Sequence, residues 1–200
     1  MTELDPSKPS VTSFFDEATN TASHVVRDPS GVACAIVDPV LDFDMSSGRT
    51  STGSADRIAD FITAEGLKVV WLLETHVHAD HLSAGPYLQE KFGGRIGIGS
   101  RITEVQEVFG KVFNAGTAFE RDGSQFDRLF EDEETFRVGG LEARVMHTPG
   151  HPPACVTFVI GDAAFVGDTL FMPDFGTARC DFPGGSAEQL WHSIRKVLAL

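Results

Sequence analysis

The chain carries only three cysteines in 200 residues, Cys34, Cys155 and Cys180, an odd number at irregular spacing. A secreted scaffold stapled by disulfides needs paired cysteines, so the thiols read as reduced and a cytoplasmic location is expected. No apolar run approaches the ~20 residues that a membrane-spanning helix requires. The opening residues, Met1-Thr2-Glu3-Leu4-Asp5-Pro6-Ser7-Lys8-Pro9, hold neither the apolar core of a secretory signal nor the Arg-rich pattern of an import sequence. Positive charge is scarce as well. Sixteen Lys and Arg stand against 29 Asp and Glu, for a net charge of −13. That balance excludes a nucleic-acid surface, which needs a basic footprint, and it favours solubility without identifying a substrate. Internal repeats and linkers are absent, and 42% hydrophobic content over 200 residues is enough to bury one core.

What the chain does have is a dense run of metal-ligand chemistry. Residues 75–81 read Thr75-His76-Val77-His78-Ala79-Asp80-His81, so three of the seven histidines fall within six residues. The apolar run Leu67–Leu73 before them reads as a buried strand, and a strand end holds side chains in fixed geometry. Imidazole suits Zn, Fe and Ni, and a carboxylate adds a hard oxygen donor and negative charge. Two later turns offer matching donors. Thr148-Pro149-Gly150-His151 follows the expected strand Leu141–Met146, and Gly167-Asp168 follows the apolar Ala163–Val166. Alone, His151 would read as an exposed histidine and Asp168 as a helix cap. Three strand-end turns together read as a metal site.

Elsewhere strands and helices alternate. Phe14-Phe15, Ala22–Val26 and Gly31–Val37 read as strands, and Asp42–Gly53 as a polar loop beside the site. Ser54 is expected to cap a helix that Gly66 stops, a second helix lies near Pro86–Phe92, and a third spans Ile102–Phe109. Further strands are expected at Phe126–Phe130, Glu134–Val138, Pro153–Ile160 and Ala163–Val166. The acidic run Glu131-Asp132-Glu133-Glu134 reads as a solvated turn. In Ala187–Leu200 the residues Leu190, Trp191, Ile194, Val197 and Leu198 recur at helical spacing and are expected in the core.

The order of these three turns resembles the metallo-β-lactamase superfamily. With Ile36-Val37-Asp38-Pro39-Val40, Ser46-Ser47-Gly48-Arg49-Thr50-Ser51 and Gly176-Thr177-Ala178-Arg179-Cys180-Asp181-Phe182, it is most similar to the persulfide dioxygenase branch and its bacterial β-lactamase-hydrolase-like members of sulfide detoxification. The resemblance implies an α/β (α+β) class fold, an αββα sandwich over residues 13–200 behind a polar tail of residues 1–12. It also implies that the C-terminal part of the sandwich, with a further His-bearing turn, is missing after Leu200.

For function, the resemblance implies an iron-dependent oxidation of a glutathione-type persulfide by dioxygen, giving sulfite and thiol. One Fe(2+) per chain would be held by His76, His151 and Asp168, with His78, Asp80 and His81 orienting them. The alternative it implies is a zinc hydrolase of glyoxalase II type acting on a thioester. There two Zn(2+) per chain would use the whole first motif, Asp168 would bridge them and Asp80 would be general base. A third reading is a non-catalytic metal-binding module. Arg179, Asp181 and Phe182 match the branch's Arg, Asp and Phe, whereas Ala178 and Cys180 replace its Gly and Thr. Arg179 reads either as an anchor for a glutathione carboxylate or as an internal ion pair with Asp181 or Asp174. Cys180 is a candidate sulfur acceptor, and Cys155 a small buried hydrophobe. Neither nucleic acid nor membrane is an expected partner, and a homodimer is left open.

Overall fold

A computed structural model describes residue 5 and residues 7–200; of the expected polar tail, residues 1–4 and 6 lie outside the described residues. The chain opens with β1 (Ser10–Asp16), β2 (Thr21–Arg27) and β3 (Ala33–Val37), followed by β4 (Val40–Asp44) and β5 (Arg49–Ser51). Next come α1 (Gly53–Ala64), β6 (Lys68–Leu73), β7 (Leu82–Ser83), α2 (Gly85–Phe92), β8 (Arg95–Gly99) and α3 (Ile102–Val112). The second half holds β9 (Arg128–Phe130), β10 (Thr135–Val138), β11 (Leu141–His147), β12 (Val156–Ile160), β13 (Ala163–Phe165) and α4 (Ala187–Val197).

Two sheets face each other. The larger runs β1-β2-β3-β6-β8-β9 and the smaller β10-β11-β12-β13. In the larger, β3, β6, β8 and β9 are parallel. Parallel strands covered on both faces need apolar side chains on both. β3 meets that need by alternation: Cys34 and Ile36 face α1 and α2, while Ala35 and Val37 face the second sheet. From the other side Ala143, Val145, Phe158 and Ile160 close the inter-sheet core. α1 contributes Ala55, Ile58, Ala59 and Ile62, spaced to form one apolar stripe. It stops where Gly66, at φ +61°, lets its own N–H reach Thr63 O and the Leu67 N–H reach Ile62 O. α4 lies against the turn before His151, with Ser193 Oγ donating to Pro149 O at 2.7 Å. The layers form a helix–sheet–sheet–helix sandwich.

Several expectations are corrected. β1 begins at Ser10, so residues 10–12 pair with Val25–Arg27 and belong to the sheet rather than to a tail ending at residue 12. The expected loop Asp42–Gly53 is largely a hairpin of β4 and β5, turned where Asp44 accepts from Ser46 and Ser47. Ser54 does not cap α1. It lies inside the helix, and the Asp42 carboxylate, delivered from β4, accepts the Ser54 N–H at 3.1 Å. In α4 only Leu190 and Val197 of the five apolar residues are buried; Trp191 and Leu198 are exposed, with Arg195 near the Trp191 ring. Helical spacing places these residues, but only packing decides which side is covered. No described helix is long and apolar enough to cross a membrane.

The two kinds of aromatic position make a test. Phe158 is fully buried between the sheets, so Phe158→Ala should cost about 3–5 kcal/mol of unfolding free energy in urea titration. Trp191→Ala should change it by no more than about 0.5 kcal/mol. A large loss for Trp191→Ala would contradict its placement on the surface.

Candidate metal centre

The first motif leaves the C-terminal end of β6 as a tight excursion. Glu74 N–H donates to Gly97 O of β8 at 2.9 Å, so the chain stays sheet-bonded for one residue beyond the strand. Thr75, His76 and His81 are then buried. The excursion is fastened by Asp38, the residue after β3. Its carboxylate accepts the Thr75 N–H at 2.7 Å, the Thr75 hydroxyl at 2.8 Å and His78 Nε2 at 3.3 Å. The backbone of Asp38 is left-handed, with φ +49°, a conformation that Asp tolerates better than most residues.

His151 and Asp168 arrive from the second sheet, each preceded by a glycine that only glycine can be. Gly150 has φ +138°, and a Cβ there would collide with the Leu190 backbone of α4. Gly167 has φ +50°, and a Cβ there would strike the Thr75 hydroxyl. The three turns thereby interlock. His76 Nε2 comes within 3.7 Å of Asp168 Oδ2, and His151 Nε2 within 3.2 Å.

Hydrogen bonds fix which ring nitrogens are free. The Thr75 hydroxyl donates to Asp38, so toward His76 Nδ1, at 3.0 Å, it accepts, and the His76 proton sits on Nδ1. His151 Nδ1 lies 2.6 Å from the Arg179 carbonyl, which can only accept. His81 Nδ1 faces the Asp80 carboxylate at 3.4 Å. In all three rings Nε2 keeps its lone pair. For His76 and His81 that atom is buried without a hydrogen-bond partner. His78 is the reverse case. Its Nε2 is engaged by Asp38 and, at 3.5 Å, by Glu74, which leaves Nδ1. Buried lone pairs without donors are costly, and divalent cations are partners that suit them. Within each of the groups His76, His151, Asp168 and His78, Asp80, His81, the donor atoms lie within 4.8 Å of one another. The clustered histidines and carboxylates are thus capable of holding one or more metal ions.

The electrostatics divide the histidines. Burial and the charge of His78 hold His76 well below the usual histidine range, so its ring is neutral. Burial opposes charge on His78 too, but Asp38 and Glu74 outweigh it and push its pKa up to about 10. Burial, with Asp80 and Asp38 nearby, raises Asp168 despite His151. The His81 hydrogen bond holds Asp80 well below the usual carboxylate range.

The remaining candidates are placed less uniformly. Phe182 stands edge-on to His151, with ring centroids 5.2 Å apart. Arg179 contributes its carbonyl to His151, while its guanidinium forms a two-pronged pair with Asp181 at 2.6 and 2.7 Å on the exposed surface. The internal ion pair read from the sequence is therefore present, to Asp181 rather than Asp174. Cys180 is half-buried. Burial pushes the Cys34 thiol up to about 12 and also raises Cys155, as inert core thiols. Asp38 and Glu74 were not singled out as site residues from sequence. Their signal is a charged residue at the end of an otherwise apolar strand, in Ala33–Asp38 and Val69–Glu74.

Comparison with known proteins fits this geometry. The sequence profile of the metallo-beta-lactamase superfamily matches residues 18–200. The chain is 58% identical over 200 residues to a probable metallo-hydrolase of Burkholderia pseudomallei, covering 95% of this chain and 68% of that protein. It is 48% identical to glyoxylase B2 of Dictyostelium discoideum, covering 94% and 65%. It is 29% identical to the mitochondrial persulfide dioxygenase of Homo sapiens, covering 92% and 61%. Against the crystal structure of ETHE1 from Myxococcus xanthus the TM-score is 0.74 at 25% identity, covering 94% of this chain and 69% of the other. The chain spans roughly two thirds of the length of these relatives.

Removing only the charge of Asp38 tests the fastening. In Asp38→Asn the side chain still fits a left-handed backbone, but His78 loses its strongest carboxylate partner. Metal affinity, measured by competition with a chelator, should fall about 10- to 100-fold. Unchanged affinity would show that Asp38 holds the loop without tuning the donors.

Proposed function

The chain belongs to the metallo-beta-lactamase superfamily, and from that premise we propose that it is a metal-dependent hydrolase of the glyoxalase II type, cleaving the thioester of a glutathione-type conjugate with water. The observation that carries this reading is the pair of adjoining donor groups. His76, His151 and Asp168 with His78, Asp80 and His81 offer more ligands than one ion uses. The relatives named metallo-hydrolase and glyoxylase, at 58% and 48% identity, point the same way.

In this reading His76 and His151 would bind through Nε2 with Asp168 beside them, and His78 would bind through Nδ1 on giving up the proton that its raised pKa holds there, with Asp80 and His81 in the same group. Zinc, two per chain, is the proposed metal. It would supply Lewis acidity that polarises a carbonyl and lowers the pKa of water to about 7. The protein residues do the rest. Asp38 and Glu74 keep the His78 ring oriented, as carboxylates behind metal-binding histidines do. Asp80, half exposed and ionised, with His81 and the Thr21 hydroxyl beside it, would accept the proton of the attacking water. Phe182 shields His151 from solvent on one side. Asp181 occupies the Arg179 fork, so a glutathione carboxylate would have to displace it. Arg179 and Asp181 are proposed as an exchangeable latch for that end of the substrate.

A second reading has its own observation. His76, His151 and Asp168 converge as two histidines and one carboxylate, the facial set of non-haem iron oxygenases. The human relative is named a persulfide dioxygenase. There one Fe(2+) per chain would serve the oxidation of a glutathione persulfide, with dioxygen and water giving sulfite and thiol. Cys180 would be available as a sulfur acceptor, and Asp80 would have no role as base.

One variant separates the two. His76→Ala, His151→Ala and Asp168→Ala should each abolish activity in either case. His81→Ala should lose about half the bound zinc and nearly all thioesterase activity if two zincs work together. Retention of one iron, with oxygen uptake on adding persulfide lowered only ~10- to 100-fold, would instead support the oxygenase. Protein purified without added metal should contain two zincs and negligible iron; one iron per chain would sink the hydrolase reading.

A further inference from the structure

Next to the donor atoms lies a cavity of about 560 Å³, within the range of small-molecule pockets. Its wall toward the centre is His78, His151, Pro152 and Phe182; its far wall is α3, with Ile102, Val105 and Phe109, and the loop aromatics Phe113, Phe119 and Phe126. No Asp, Glu, Lys or Arg side chain lines it. The polar side chains on the far wall, Gln106 and Gln125, are already used. Gln106 donates to Gln125 Oε1 at 2.8 Å and accepts the Gly123 N–H at 3.0 Å, and Gln125 donates to the Glu120 carbonyl at 2.9 Å. A ligand entering the cavity therefore meets metal donors at one end and apolar surface at the other. Away from His78, at the end beside the donor atoms, nothing in the lining would pair with a glutathione carboxylate.

We infer that this cavity receives an apolar acyl group of the substrate, so that the enzyme prefers thioesters with a medium-length aliphatic or aryl acyl chain over short polar ones. This rests on the hydrolase reading for the word acyl. The pocket itself is argued from its lining alone. Two walls bracket the scissile group: the acyl side lies against α3, and the peptide side of the conjugate lies outward, toward the exposed Arg179–Asp181 pair. Val105 and Phe109 on α3 set the depth, and Phe113, which is 73% exposed, forms the rim.

S-methylglutathione and S-hexylglutathione are thioethers that cannot be hydrolysed, so they test the cavity whatever the chemistry. Each fully buried methylene is worth about fourfold in affinity, and the cleft is partly open. Calorimetry on the metal-loaded and the metal-free protein should therefore find the hexyl compound bound about 10- to 100-fold more tightly. Val105→Trp, which fills the cavity, should bring that ratio close to one. Phe113→Ala, at an exposed position where folding is not at stake, should lower it about 2- to 5-fold. Equal affinity for the two thioethers, or a ratio that neither variant moves, overturns the pocket assignment. Turnover separates this outcome from the wider reading. A hexyl preference that Val105→Trp removes, with no hydrolysis of acetyl- or hexanoylglutathione, leaves the pocket standing and removes the hydrolase. Equal hydrolysis of both thioesters with equal thioether affinities does the reverse.

Discussion

Asp38 leaves the end of β3 and places a buried carboxylate where the Thr75 N–H, the Thr75 hydroxyl and His78 Nε2 all reach it. A buried anion is expensive unless it is paired and hydrogen-bonded. Here three donors from the neighbouring strand end meet that cost, and in doing so they define the path of residues 75–78. The same bonds propagate outward. The Thr75 hydroxyl, committed as a donor to Asp38, turns His76 so that its free lone pair faces Asp168. Asp38 together with Glu74 turns His78 so that only Nδ1 remains. The geometry of the donor field thus descends from one carboxylate at a sheet junction.

The second constraint is steric. The turns bearing His151 and Asp168 come from the opposite sheet and must approach the first motif closely. Gly150 and Gly167 permit this because a Cβ at either would occupy space already held by the Leu190 backbone or the Thr75 hydroxyl. These contacts join two sheets, a helix and three loops into one rigid frame. Rigid support is what a metal centre needs, since a ligand displaced by an ångström loses most of its value. α3 and the 113–126 loop use that frame differently, standing back from it to leave the apolar space beside His78 and His151.

Sequence order alone determined a good part of this. The buried strands, the stop at Gly66, and the crowding of metal-ligand residue types at His76, His78, Asp80, His81, His151 and Asp168 all rest on local signals: periodicity, turn residues and donor chemistry gathered into short motifs. The superfamily was legible for the same reason, because its signature is three short turns in a fixed order. The hairpin of β4 and β5 was not legible, since polar, Ser-rich residues read as loop until a partner strand is known. Nor was the capping of α1 by Asp42, a residue 12 positions away from the N–H it accepts.

Tertiary structure alone decided which atoms face which. That His76 and His151 present Nε2 while His78 keeps Nδ1 depends on Asp38, Thr75, Glu74 and the Arg179 carbonyl, groups distant in sequence or ordinary in type. The side of α4 left bare, with Trp191 exposed where spacing predicted core, was likewise fixed by what packs against the helix. So was the pairing of Arg179 with Asp181 rather than Asp174. Local sequence specifies the chemistry a residue can perform. Only the meeting of the two sheets specifies the partner it performs it with, because distance and burial arise when strands remote in sequence are brought to one junction.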